Sequence, residues 1–198
     1  MGLTLLRLLL LPIFLWMLLI DAGGPGQPVH RHRFYALGIF AVMAATDKLD
    51  GYLARRLNQT SKLGETLDPV ADKLLIACSV ILLSFEWVAP LGFAIPIWVV
   101  GAVYGKDLIV AIGTLMLLWR LHSVNIRPRA LGKLSTVLQL GMIMATLVAR
   151  DLNRIRPALG DWLLPALWWG VTVVAVASCA DYVALGVRTY RAARRDAR

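Results

Sequence analysis

Six apolar stretches separated by short polar ones organise the chain. The first is Leu3–Ile20, containing Pro12, and a Gly/Pro/His-rich loop, Asp21–Arg33, follows it. The second is apolar from Phe34 to Ala45 and continues as a polar, helix-compatible segment through Thr46–Leu57. The third, Gly64–Phe85, is polar in its first turns and apolar from Leu74. After a short turn at Glu86–Pro90 come Leu91–Trp119, with Pro96 inside it, then Leu134–Val148 and Leu163–Val187. A helix needs roughly 20 apolar residues to cross the hydrocarbon core of a bilayer. Within lipid only helices and closed barrels satisfy their own backbone, and proline is tolerated in such helices. The pattern predicts an all-α integral membrane protein, a six-transmembrane-helix bundle forming one domain over residues 1–198.

Composition agrees with a lipid solvent. Apolar residues make up 59% of the 198 and charged residues 17%, and mean hydropathy is +0.68; ordinary soluble domains carry about 45–50% and 25%. Leu3–Ile20 has almost no basic residues before it, and Asp21-Ala22-Gly23-Gly24 makes a poor cleavage site, so a retained first span is expected rather than a signal peptide. Net charge is +9, but the basic residues fall in loops rather than on a face interleaved with aromatics, and no nucleic-acid partner is expected. In the six-span reading, one side of the membrane carries twelve basic residues, five of them in the tail Arg188–Arg198, and the other carries five. The positive-inside rule then places both termini in the cytoplasm, with the Arg55–Lys62 loop beside them. Cys78 and Cys179 both lie in apolar segments and read as small buried hydrophobes rather than a disulfide or metal pair.

Four carboxylates change the picture. Asp47 and Asp50 are three apart, and Asp68 and Asp72 four apart, so each pair occupies one face of a helix. The polar stretch between Arg55 and Gly64 is short enough to bring the two helices together antiparallel, so that the four carboxylates converge. As solvated helix-end residues they have Lys48, Arg55, Arg56 and Lys73 for partners; their number and spacing favour a site instead. Partly desolvated carboxylates repel one another, and a hard divalent cation such as Mg²⁺, Mn²⁺ or Ca²⁺ removes that repulsion. Magnesium favours one or two carboxylates together with substrate phosphate oxygens, which points to phosphate chemistry.

The same residues carry a resemblance. Asp47-Lys48-Leu49-Asp50-Gly51-Tyr52-Leu53-Ala54-Arg55, eight further residues, and Gly64-Glu65-Thr66-Leu67-Asp68-Pro69-Val70-Ala71-Asp72 match D-x2-D-G-x2-A-R-x8-G-x3-D-x3-D at every defined position. That pattern is the signature of the CDP-alcohol phosphatidyltransferases, and the chain resembles that family. The resemblance implies that Asp47, Asp50, Asp68 and Asp72 hold one or two Mg²⁺ (or Mn²⁺) ions against the pyrophosphate of CDP-diacylglycerol, with Asp72 as general base for the acceptor hydroxyl. It implies donor-binding roles for Gly51, Ala54, Arg55 and Gly64: glycine for close backbone approach, alanine for room, and arginine as a forked phosphate donor. It also implies a homodimer working among membrane lipids, with the active site on the cytoplasmic side; the sequence adds only the spacing of Gly101 and Gly105, a close-packing pattern.

The acceptor is the variable part of the family. Leu3-Thr4-Leu5-Leu6-Arg7 with Pro12, Leu67–Lys73 and Gly132–Gln139 are similar to the phosphatidylglycerophosphate synthase branch, whose acceptor is sn-glycerol 3-phosphate. An anionic acceptor needs cations, and Lys106, Arg127, Arg129 and Lys133 are the candidates; topology and headgroup attraction account for the last three equally well. Members of that branch commonly carry an Arg–acidic pair where this chain has Lys106-Asp107, so the charge is kept and the bidentate geometry is lost. A cardiolipin synthase of the CDP-alcohol type and a phosphatidylinositol-phosphate synthase are the alternatives within the family. A divalent-cation transporter is the alternative outside it, although no matching acidic pair occupies the opposite half of the bundle. Asp181 reads as either a helix-polar contact or a support of the site. His30 and His32 read as solvated loop residues, and Trp119, Trp162, Trp168 and Trp169 as interfacial or packing aromatics.

Overall fold

A computed structural model describes residues 2–20, 31–57, 62–90, 92–121 and 130–196; for residues 2–5, 7, 31–32, 47–57, 62–70, 72, 117–118, 120–121 and 190–196 the description covers the backbone. Helix is the regular structure throughout the described residues: α1 (Gly2–Ile20), α2 (Arg31–Leu57), α3 (Lys62–Leu82), α4 (Ile97–Leu121), α5 (Ala130–Ile155) and α6 (Leu159–Asp196). Three of them contain stretches long and apolar enough to cross a membrane: Ile97–Met116, Ala130–Ile155 and Leu159–Thr189. Leu8–Ile20, Arg33–Thr46 and Lys73–Leu82 are shorter apolar helices. The predicted all-α membrane architecture is therefore present, with three full-length candidate spans.

The chain divides into two compact units, one comprising Met1–Ile95 and Leu140–Leu164, the other Pro96–Gln139 and Pro165–Arg198. In the first, α1 packs against both α2 and α3. Its contribution is Phe14 and Leu18, one turn apart and buried. Phe14 meets Phe40 of α2 with ring centroids 5.5 Å apart and a tilt of 39°, an arrangement that suits the aromatic quadrupole. From α2 come Ala36, Phe40 and Met43, and from α3 Leu75, Ile76 and Val80. Two buried hydroxyls of this unit are satisfied locally: Ser79 Oγ of α3 donates to the Leu75 carbonyl at 2.6 Å and Thr146 Oγ1 of α5 to the Met142 carbonyl at 2.8 Å. Such back-bonding lets a polar side chain sit inside an apolar helix without an orphaned donor. Leu9, Ile13 and Trp16 project outward from α1, as a lipid-facing surface does.

Helix ends depart from the hydropathy boundaries for identifiable reasons. The fourth segment was expected to start at Leu91, yet α4 starts at Ile97. Gly92 takes a left-handed φ of 82° and the Phe93 amide bonds back to Pro90, while the Ile95 amide reaches the Leu83 carbonyl at 2.9 Å. Pro96 then leads the helix rather than interrupting it, its carbonyl accepting from Val99 at 2.9 Å; proline is well placed there because it has no amide to satisfy. The fifth and sixth segments run longer than their apolar cores, to Ala130–Ile155 and Leu159–Asp196. Hydropathy marks only the lipid-compatible part of a helix, whereas Arg, Lys and Asp at its wet ends continue the same backbone bonding. The connection expected over Arg150–Trp162 shrinks to a turn at residues 156–158, where Ala158 adopts φ 67°.

In the second unit, α6 contributes Val171, Ala175 and Ser178 and α4 contributes Val99 and Val103 to the buried set. Trp98 and Trp169 stack at 4.9 Å. Tyr182 of α6 lies close over Gly132 at the start of α5, 3.3 Å from where a Cβ would be.

Candidate active site

The register of two helices positions the carboxylates. On α2 the buried positions Ala36, Phe40 and Met43 advance by four and three residues, and the same steps lead to positions 47, 50 and 54, occupied by Asp47, Asp50 and Ala54. On α3, the buried Val80 and Ile76 lead back by steps of four to Asp72, Asp68 and Gly64. Each helix thus carries one continuous stripe, apolar at one end and carboxylate-bearing at the other. Both stretches are helical in the structure, and α1 packs on both helices. The side chains of Asp47, Asp50, Gly51, Ala54, Arg55, Gly64, Asp68 and Asp72 lie outside the described residues, so their backbone placement on α2 and α3 is what the structure contributes. Among the described residues no three His, Cys, Asp or Glu side chains gather.

The donor set suits a hard divalent cation. Four carboxylates at helical spacing on two backbone-defined helices would offer oxygen ligands only, and an all-oxygen set would select Mg²⁺, Mn²⁺ or Ca²⁺ over softer metals. Just ahead of the set, Thr46 Oγ1 donates to the Val42 carbonyl at 2.6 Å, so its hydroxyl is occupied within the helix.

Of the candidate acceptor residues, Lys106 is described in most detail. Its side chain is 10% exposed, and Nζ lies 3.2 Å from Asp107 Oδ1. It also donates to Ser135 Oγ at 3.1 Å. Ser135 is fully buried, and it accepts a second hydrogen bond, from Gln139 Nε2, at 3.2 Å. Lys106 lines a cavity of about 630 Å³ between α4 and α6, otherwise walled by small and apolar residues such as Gly101, Gly105, Ala175, Cys179 and Val183. Lys133 is exposed on α5, and Arg127 and Arg129 lie outside the described residues. Sequence reasoning passed over Ser135 and Gln139 as functional residues. The available signal was a polar pair four residues apart, Ser135 and Gln139, near the start of the apolar run of α5.

Comparison with known proteins places this chain in a family. The chain is 47% identical over 83 residues to the Pseudomonas fluorescens protein named CDP-diacylglycerol–glycerol-3-phosphate 3-phosphatidyltransferase, a match covering 42% of this chain and 39% of that one. It is 44% identical over 82 residues to the protein of the same name from Escherichia coli K12, covering 41% of each. The matched region is thus about two fifths of the length of these relatives. The model of the CDP-alcohol phosphatidyltransferase family matches residues 1–177, spanning all four aspartates and reaching into α6, and the chain belongs to that family.

Proposed function

We propose that this protein transfers the phosphatidyl group of CDP-diacylglycerol to sn-glycerol 3-phosphate, giving phosphatidylglycerophosphate and CMP. The observation that carries the reading is the pair of helical stripes that turn from apolar to carboxylate on α2 and α3. Two relatives named for this reaction support the choice of acceptor. In the reaction the acceptor hydroxyl oxygen forms a bond to the phosphorus that carries the diacylglycerol, and the bond from that phosphorus to the CMP oxygen breaks. Asp72 takes the hydroxyl proton as general base. Asp47, Asp50, Asp68 and Asp72 would hold Mg²⁺ or Mn²⁺, which supplies charge neutralisation for the pyrophosphate and the departing CMP. Arg55 offers its planar fork to a phosphate, while Gly51, Ala54 and Gly64 leave room for the donor to approach the helices.

On the acceptor side, Lys106 meets the glycerol phosphate together with Arg127, Arg129 and Lys133. The proposal includes six membrane crossings, with both termini and the active site on the cytoplasmic side, and a homodimer as the working form. Both compact units belong to one membrane domain in this reading, because the family match runs through both.

The test is an acceptor panel. Purified protein with CDP-diacylglycerol and Mg²⁺ should release CMP and form lipid product with labelled glycerol 3-phosphate. Product from phosphatidylglycerol or inositol phosphate, with none from glycerol 3-phosphate, would overturn the assignment in favour of another branch of the family.

A further inference from the structure

From the hydrogen-bond chain across α4 and α5, we infer that Ser135, backed by Gln139, is a positioning residue that fixes the Lys106 ammonium for the acceptor phosphate; the inference rests on the acceptor role proposed above for Lys106. A lysine ammonium is a point charge on a flexible stem with three N–H donors. Here one donor faces Asp107 and one faces Ser135, which leaves the third for a ligand. Asp107 adjoins Lys106 on the same helix, and a direct tie from the ammonium to another helix needs a residue outside α4.

Ser135 provides that tie, from 29 residues away in sequence. Its hydroxyl oxygen accepts from both Lys106 and Gln139, so both lone pairs are engaged. Because Gln139 donates into the hydroxyl oxygen, that oxygen is held as an acceptor toward the lysine. Ser135 and Gln139 are almost fully buried, at 0% and 3% exposure, which protects the bonds from competing water. A lysine lacks the rigid fork of an arginine and gains its directionality from tethers of this kind. Neither Ser135 nor Gln139 touches the reacting atoms; both act through Lys106.

The test is steady-state kinetics of CMP release by the full-length protein, with each substrate varied in turn. Ser135→Ala should raise KM for glycerol 3-phosphate about five- to tenfold, a loss within the range of one ordinary intramolecular hydrogen bond. KM for CDP-diacylglycerol and kcat should stay within about twofold, since the donor site is untouched. In a Lys106→Ala background, adding Ser135→Ala should change KM for glycerol 3-phosphate by less than about twofold, because a residue that acts through a partner has nothing left to position. Gln139→Met should shift KM in the same direction by less, and it carries the test if Ser135→Ala lowers the thermal midpoint in detergent too far for assay. Equal rises in both KM values, or a Ser135→Ala effect undiminished without Lys106, would make Ser135 a packing residue and overturn the inference. An active Lys106→Ala enzyme with unchanged KM for glycerol 3-phosphate would overturn the acceptor role of Lys106 itself. Raised KM in Lys106→Ala with a silent Ser135→Ala would overturn the positioning role alone.

Discussion

Among the described glycines, Gly160 is the one whose identity the local geometry dictates most tightly. It opens α6 beside the turn at residues 156–158, and a Cβ built there would lie 2.9 Å from both the Ala149 carbonyl oxygen and Asn153 Oδ1. Asn153 holds the turn together: Oδ1 accepts from the Gly160 amide, and Nδ2 donates to Asp161 Oδ1 at 3.1 Å. Asp161 itself sits in the first turn of α6, where a carboxylate complements the positive end of the helix dipole. A methyl group at 160 has to displace the asparagine and break the bond it accepts. Gly160→Ala should therefore destabilise the protein by about 1–3 kcal/mol, the cost of a disrupted half-buried hydrogen bond with added crowding. A lower thermal midpoint in detergent, followed by intrinsic fluorescence, is the readout; an unchanged midpoint would show that Asn153 moves aside freely. Ala158 next door carries the left-handed φ of 67° that a glycine would hold more easily, so this turn is fixed by its hydrogen bonds more than by the preference of its residues.

At the scale of the element, the argument concerns register. Met43 is buried and Asp47 follows one turn later on the same stripe of α2. One alanine inserted after Met43 would rotate everything beyond it by about 100° and carry the carboxylates off the stripe while leaving the helix composition intact. The insertion should abolish CMP release with far-ultraviolet circular dichroism unchanged; retained activity would sink the convergence of α2 and α3 on one site. Asp68→Asn keeps shape and removes charge, and should lower turnover by about 10²–10³-fold, the range seen when one preorganised electrostatic group is lost. Activity within tenfold of wild type would exclude Asp68 from the metal set. Similar logic explains α4: Pro96 and the left-handed Gly92 decide where the helix begins, although hydropathy alone carries the apolar run back to Leu91.

For the molecule as a whole, the solvent is the governing fact. Large apolar side chains such as Trp16, Ile97, Leu115, Trp119 and Val173 stand exposed on the helices, and a surface of this kind needs lipid or detergent around it. Orientation then depends on the arginine-rich tail and the basic loops. In a variant with Cys78→Ala and Cys179→Ala, a single Ala192→Cys in the tail should react with a membrane-impermeant maleimide only after permeabilisation of spheroplasts. Gly26→Cys, in the first loop, should react in the intact ones. Reaction of the tail without permeabilisation would invert the topology and, with it, the side on which the nucleotide donor binds.

Much was legible before any tertiary contact was known, because it is written in local periods. Apolar runs near the thickness of a bilayer mark helices in lipid, and the i,i+3 and i,i+4 spacing of Asp47, Asp50, Asp68 and Asp72 marks one face of each of two helices. A pattern of eight fixed residues over 26 positions marks the family. Helix ends were less legible, since Ala130–Ile155 and Leu159–Asp196 outrun their apolar cores into polar residues that continue the same bonding. Only the tertiary structure decided that α1 packs on both signature helices, and that Lys106 of α4 is tied to Ser135 and Gln139 of α5. No local period encodes a hydrogen bond across 29 residues; that contact exists because packing brings two helices together, and packing is a property of the folded chain.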